Sequence, residues 1–229
     1  MGWLSNAISA VGSFISGVAS NIGAVVSNFA KSTLSIMTKL PIPGLGIVNA
    51  ISTAASIIHG VVKILGIKTE EDPEILGAKA EQSEKGLDDF DNDVESYIKY
   101  LKEEVQLDKE RFEELTPEEK LGCKAIGMAL ETKVVEEKIG SVEISPECLG
   151  TLVKIHCAGI DIDSNELVNI IKILKDQGIT KMSDVVDALE GKGNSDRIKT
   201  NEALKTALGE NSEEKIYELQ DAVRKYEEE

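Results

Sequence analysis

The chain has 229 residues, with 41 acidic against 25 basic residues and a net charge of −16, and every acidic residue follows position 69. Residues 1–68 hold four lysines and sum to +4, so residues 69–229 carry −20. A body of that charge repels phosphate backbones, which argues against nucleic-acid binding. The length suffices for one large domain or two small ones.

Composition divides the chain into three parts. Residues 1–68 are apolar and uncharged to basic, residues 69–115 form an acidic linker followed by a long amphipathic helix, and residues 116–229 form an acidic α-helical domain. The apolar spacing follows helical periods throughout, and only residues 141–145 suggest a strand. We therefore predict an all-α fold. It would consist of an N-terminal apolar helical hairpin, a long acidic coiled-coil-like helix and a small C-terminal helical bundle.

The first 29 residues contain no charged side chain and include the single Trp of the chain. Their apolar residues recur at steps of four and three, which is typical of a heptad seam. The remaining faces are Ser, Asn, Gly and Ala. Three glycines lower the helix propensity by about 1 kcal/mol each, so the segment needs an apolar partner to form a stable helix. The seam comprises Leu4, Ile8, Val11, Ile15, Val18, Ile22, Val25 and Phe29, with Trp3, Phe14 and Val26 beside it.

A turn and a second amphipathic stretch follow the seam. Proline cannot continue a helix and glycine permits a reversal of the chain, so the turn is assigned to Pro41, Pro43, Gly44 and Gly46. Residues 47–67 then repeat the apolar periodicity, which makes residues 1–67 a hairpin. Polar residues dilute the first arm, and Asn49, His59 and Lys63 interrupt the second. Both arms therefore fit an interfacial or oligomer-lined helix better than a lone lipid-facing span.

Local signals place the later helices. Apolar steps of three and four predict one acidic helix from Ile75 to Leu115. Thr116, followed by Pro117 and Glu119, predicts a capped helix start. Further N-caps are predicted at Ser145, Ser164 and Ser212.

The sequence offers little chemistry. Asp161–Glu166 resembles the start of a calcium loop but lacks the required Gly and the final Glu. The three cysteines are an odd number without zinc-ligand spacing. His156 and Cys157 are neighbours on a helix and point in different directions. We therefore expect no metal, no cofactor and no catalytic residue, and hence a protein that is not an enzyme.

His59 lies among apolar residues of the second arm and has two interpretations. It is either a helix-face histidine with a hydrogen-bond partner or a candidate pH switch. In the second case, charging the imidazole in an apolar hairpin would cost free energy, so acid would loosen the hairpin.

Three interpretations of residues 1–67 remain open. The first is membrane activity, because an uncharged amphipathic helix can enter a bilayer without carrying charge into it. In composition alone, and over these residues only, the segment resembles the penetration peptides of non-enveloped viruses and α-helical pore-forming toxins. The second is assembly within a phage, virus or injection particle, where the helices pack in an oligomer without touching lipid. The third is that the hairpin is simply the core of the fold.

We favour a membrane-active, non-enzymatic protein, with the assembly protein as the alternative. The partners would be membrane lipid, further copies of the chain or a larger particle, but not nucleic acid. The predicted contact residues are Trp3, Leu4, Ile8, Val11, Phe14, Ile15, Val18, Ile22 and Phe29. The N-terminus lacks the basic region and compact apolar run of an ordinary signal peptide. We therefore expect synthesis in the cytoplasm and association with a membrane surface or particle.

Overall fold

The computed structural model describes residues 3–70, 72–140, 142–192 and 197–226, without the side chains of residues 3–5. Within these ranges the fold is all-α, as predicted, and contains no strand. The helices are α1 (Trp3–Gly17), α2 (Ala19–Met37), α3 (Ile47–Ile64), α4 (Pro73–Gln82), α5 (Val94–Glu103), α6 (Lys109–Glu114), α7 (Pro117–Ile139), α8 (Pro146–Cys157), α9 (Ser164–Asp176), α10 (Ser183–Glu190), α11 (Arg197–Leu208) and α12 (Ser212–Arg224), with a short 3-10 helix at Leu87–Phe90.

Helix α7 lies at the centre of the N-terminal half. Fourteen of its 23 residues are buried, and they point to all sides of the helix. Helices α1 to α5 all pack on it. The N-terminal apolar helices therefore find their apolar partner within the same chain.

Glycines bring α4 and α7 into backbone contact. A Cβ added at Gly77 of α4 would lie 1.9 Å from the carbonyl oxygen of Cys123 in α7. Reciprocally, a Cβ at Gly127 of α7 would lie 1.8 Å from the carbonyl oxygen of Pro73. Both separations are far below any allowed contact, so only glycine fits at the two positions where these helices cross.

The C-terminal helices α9 to α12 pack mainly on one another, whereas α8 packs on α2 and α3 as well as on α10 and α12. Contacts of α2 and α3 with α8, and of α3 with α9, join this group to the N-terminal half. The predicted strand at residues 141–145 is reduced to one parallel bridge between Glu143 and Lys181.

The single helix predicted from Ile75 to Leu115 is not present. The chain instead forms α4, the 3-10 helix, α5 and α6 over this stretch. Asp91 and Asn92 have left-handed backbone angles, with φ of 53° and 63°, which end the 3-10 helix. The Asp93 carboxylate then accepts the Ser96 amide at 2.9 Å and starts α5. The prediction of one helix was wrong because it relied on the apolar spacing alone. The Asp and Asn residues of this turn form local hydrogen bonds to the backbone, which compete with a helix.

Two predicted helix starts are present in the structure, and in both a side chain accepts a hydrogen bond from a backbone amide of the first turn. Thr116 and Glu119 form the capping box of α7, and Ser145 caps α8. At α9 the cap is Asp163 rather than Ser164, because the Asp163 carboxylate accepts the amides of Asn165 and Glu166. At α12 Ser212 is the first helical residue, and no side chain of the preceding residue caps it.

Candidate functional site

The seam faces the inside of the protein. Val11, Ile15, Val18, Ile22 and Phe29 are buried, and the helices that carry them pack on α7. Ile8 and Phe14 are half-buried. The side chains of Trp3 and Leu4 lie outside the described residues. Apart from Val25, which is exposed, the structure thus brings the described seam residues together at an intramolecular interface.

Phe14 shows how closely this interface is packed. A Cβ added at Gly122 of α7 would lie 2.5 Å from Cδ1 of the Phe14 ring. The ring therefore occupies space that exists because residue 122 has no side chain. Further along, the ammonium of Lys133 lies 4.6 Å from the centre of the Phe29 ring, a cation–π contact between α7 and α2.

The turn assigned to Pro41, Pro43, Gly44 and Gly46 connects α2 to α3, and these four residues are exposed. Gly44 has φ of 75°, a left-handed conformation that glycine adopts at little cost. The connection between the two helices thus lies at the surface.

The outer face of α1 and α2 carries no charge, and Lys31, the one charged residue of these two helices, is half-buried. We use this name for their exposed residues, which are Asn6, Ser9, Ala10, Ser13, Ser16, Gly17, Ser20, Ala24, Val25, Asn28, Ser32 and Ser35. A helix of a soluble protein normally presents Lys and Glu to water. Here small polar and apolar residues take their place, whereas residues 69–229 are strongly acidic.

One polar pair crosses the interface between α3 and α7. Nδ1 of His59 lies 2.8 Å from Oε1 of Glu131. His59 is 9 % exposed and Glu131 is fully buried. The other oxygen of Glu131 and Nε2 of His59 are buried without a hydrogen-bond partner among the described residues. The histidine that the sequence placed in apolar surroundings therefore has a carboxylate beside it.

Burial acts on the pKa of the Glu131 carboxyl. Removal from water raises the pKa of the Glu131 carboxyl above its ordinary value of 4.5, although the hydrogen bond and charge of His59 lower it in part. A charged His59 would also be paired with a carboxylate, unlike the unpartnered imidazolium on which the pH-switch hypothesis rests. That hypothesis stays a prediction.

Sequence reasoning missed Glu131. It lies 72 residues from His59, and no local pattern joins them. A signal was nevertheless present, because Glu131 is a lone acid in the otherwise apolar run from Ala125 to Val135, apart from its neighbours Thr132 and Lys133. An acid on the apolar side of a helix needs a buried partner.

The cysteines show no activation. Burial raises the pKa of the Cys123 thiol to about 12 and that of Cys148 to about 11. The pKa of half-buried Cys157 is also raised by burial. Since the thiolate is the nucleophile, all three groups are poor nucleophiles at neutral pH.

A cleft of about 560 Å³ lies where α3 meets α8 and α9. Hydroxyls of Ser52, Thr53 and Ser164 line it together with His156 and Asp161. In the described part of the chain none of these hydroxyls is hydrogen-bonded to His156, so the cleft contains no aligned nucleophile and base. No group of three His, Cys, Asp or Glu residues in the described ranges has the geometry of a metal site.

Comparisons of the chain with protein-family models, with curated proteins and with solved structures found no match. Among the described helices, α3 is the one with the length and apolar composition needed to cross a membrane. Eight of its 18 residues are buried in the fold. A core helix of a soluble protein has the same properties, so α3 alone is weak evidence for a membrane span.

Proposed function

We propose that this is a non-enzymatic, membrane-active protein whose N-terminal helices α1 to α3 associate with one another and insert into or penetrate a membrane. A pore-forming protein and a penetration component of a virion or injection particle both belong to this class. The observation that carries the proposal is the uncharged outer face of α1 and α2 on a protein of charge −16. A bilayer tolerates such a face, because none of its own residues is charged, whereas Lys31 of α2 would have to keep its ammonium at the membrane surface.

The burial of the seam adds a requirement. Val11, Ile15 and Ile22 contact the inside of the fold, so these residues reach lipid only after α1 and α2 separate from α7. The acidic helices would keep the protein soluble until then. Membrane entry is therefore a conformational transfer, in which contacts with lipid replace contacts with α7.

Helix α3 would leave the fold in the same step. Its long apolar sequence suits a bilayer, but His59 must lose Glu131 and Lys63 must reach the membrane surface. Separating a buried polar pair is costly, so this pair opposes premature release.

The same outer face also supports the alternative function. Its Ser, Ala and Gly residues are small and would let another helix approach closely without charge repulsion. An assembly protein of a phage, virus or injection particle would use this face for packing between copies, with the seam kept buried.

A reversible crosslink between α3 and α9 separates the two functions. A Cβ added at Gly60 lies 3.3 Å from Cβ of Ser164, close to the separation of about 3.5–4.5 Å in disulfides. The variant Gly60→Cys/Ser164→Cys, with Cys157→Ser to remove the partly exposed thiol, would hold α3 in the fold when oxidised. The single-cysteine variants and wild type with and without reductant are the controls.

The measurement is dye release from vesicles of phosphatidylcholine, alone or mixed with phosphatidylglycerol, at neutral and mildly acidic pH. Release by wild type and by the reduced variant, but not by the oxidised variant, is the expected result. If wild type neither binds nor permeabilises any of these vesicles but forms defined oligomers in light scattering, the membrane proposal is wrong and the assembly function takes its place.

A further inference from the structure

The N-terminal arm, residues 3–37, is broken although its sequence pattern is continuous. Helix α1 ends at Gly17, and Gly23 within α2 has φ of 73° and ψ of 159°. This combination is essentially restricted to glycine. Beside this break, Val25 is 67 % exposed whereas Val26 is 1 % exposed.

The sequence pattern gives no sign of this break. Apolar residues recur at heptad steps from Leu4 to Phe29, and this register assigns Val25 to the seam. In an unbroken helix Val25 would lie with Ile22 and Phe29 on one side. The fold therefore exposes a residue that a straight helix would place among its apolar neighbours.

A specific set of contacts holds the break. The Asn21 amide donates to the carbonyl oxygens of Ala80 and Ser83, both at 3.0 Å, at the C-terminal end of α4. These carbonyls lack partners within their own helix, so Asn21 acts as a cap supplied by a distant segment. Leu87 covers the other side, since a Cβ on Gly23 would lie 3.4 Å from its Cδ2. We call Asn21 and Leu87 the latch.

We propose that the latch keeps the N-terminal arm bent, and that its release lets residues 3–37 form one continuous amphipathic helix, which is the form that contacts a lipid bilayer. At 1.5 Å per residue this helix would be about 52 Å long. It would align Val25 with the rest of the seam and keep the other residues of the uncharged outer face opposite. The lipid partner rests on the proposed function, whereas the straightening of the arm does not.

Two substitutions, Asn21→Ala and Gly23→Ala, should shift the arm from its bent form towards the continuous helix by different means. Asn21→Ala removes the capping bonds and should raise the opening equilibrium of residues 18–26 by about tenfold, measured as faster amide hydrogen exchange. Gly23→Ala strains the bent form and favours a continuous helix. Gly12→Ala is the matched control, because residue 12 is helical and an added Cβ meets no atom within 4 Å.

The decisive measurement is the distance between spin labels on the exposed positions Ser9 and Ser35 of the full chain, in a Cys157→Ser background. A continuous helix places them about 39 Å apart, and any break shortens this distance. We expect a shorter distance for wild type and Gly12→Ala in water. The distance near 39 Å should appear in Asn21→Ala and Gly23→Ala, and in vesicle-bound wild type.

The outcomes separate the two proposals. A distance that lengthens in the variants while no form binds vesicles supports the straightening and overturns the membrane function. If vesicle-bound wild type keeps the short distance, the continuous helix is wrong even though the membrane function stands. If Gly23→Ala fails to fold by circular dichroism, Asn21→Ala and vesicle-bound wild type still decide. Unchanged hydrogen exchange in Asn21→Ala would show that the Asn21 hydrogen bonds do not hold the arm bent.

Discussion

His59 and Glu131 form a buried pair, with 2.8 Å between Nδ1 and Oε1, and this pair links the apolar helix α3 to the central helix α7. The other buried residues of α3 are all Ala, Ile or Val. The pair therefore joins the two helices by a polar contact among otherwise apolar buried residues.

Removing the histidine should destabilise the protein strongly. His59→Ala leaves the Glu131 carboxylate buried without its partner, and such a loss costs about 3–5 kcal/mol in the free energy of unfolding. Urea unfolding at neutral pH measures it. The matched control is His59→Leu/Glu131→Met, which replaces both partners by apolar groups and should recover most of the loss. A His59→Ala variant as stable as this double variant would show that the pair contributes no specific interaction.

The raised pKa of Glu131 predicts the direction of a pH dependence. The folded protein takes up this proton at a higher pH than the unfolded chain does. The stability due to this group is therefore fully present below the unfolded pKa and is lost as the pH rises through the folded pKa. Glu131→Gln, which cannot ionise, should be more stable than wild type at neutral pH, and this advantage should shrink as the pH falls. An advantage that grows on acidification would contradict the assignment.

It follows that Glu131 by itself does not make acid a trigger for opening. Within this pair, an acid trigger would have to come from His59, and His59→Gln tests it. If the pH profile of vesicle binding is the same in this variant and in wild type, His59 is not a pH switch.

Alanine substitutions at Gly127, where α4 crosses α7, and at Gly12 in α1 should change the stability of the protein in opposite directions. Gly127→Ala forces a Cβ to within 1.8 Å of the Pro73 carbonyl oxygen, so the helices must move apart, at a cost of about 1–3 kcal/mol or more. Gly12→Ala meets no neighbour and should stabilise α1 by about 0.5–1 kcal/mol. Thermal unfolding compares the two. Equal melting temperatures would mean that α4 does not lie against α7.

Thiol labelling tests the packing around the cysteines. With pKa values of about 12 and 11, Cys123 and Cys148 should react with Ellman's reagent only after unfolding. The half-buried Cys157 should react first in the native protein. Native Cys157→Ser should then show almost no fast phase. A fast phase of more than one thiol in wild type would show that the core around α7 or α8 opens readily.

Short-range features of the fold could be predicted from the sequence. The capping box at Thr116, the cap at Ser145 and the turn from Pro41 to Gly46 depend on residues a few positions apart, whose hydrogen bonds and backbone angles are set locally. The apolar side of the first arm was likewise readable, since Val11, Ile15 and Ile22 are buried as their period requires. The contrast between an acidic body and an uncharged N-terminal segment could also be recognised from the sequence.

Other features were decided only by tertiary structure. Periodicity could not show that the arm breaks at Gly23, because the break is held by Ala80, Ser83 and Leu87, about 60 residues away. Nor could it show that Glu131 would meet His59. The sequence by itself determined which faces are apolar, since that depends on the order of the side chains. Which segment packs on those apolar faces depends on contacts between residues far apart in the sequence. In this protein, α7 packs on the apolar faces of α1, α2 and α3.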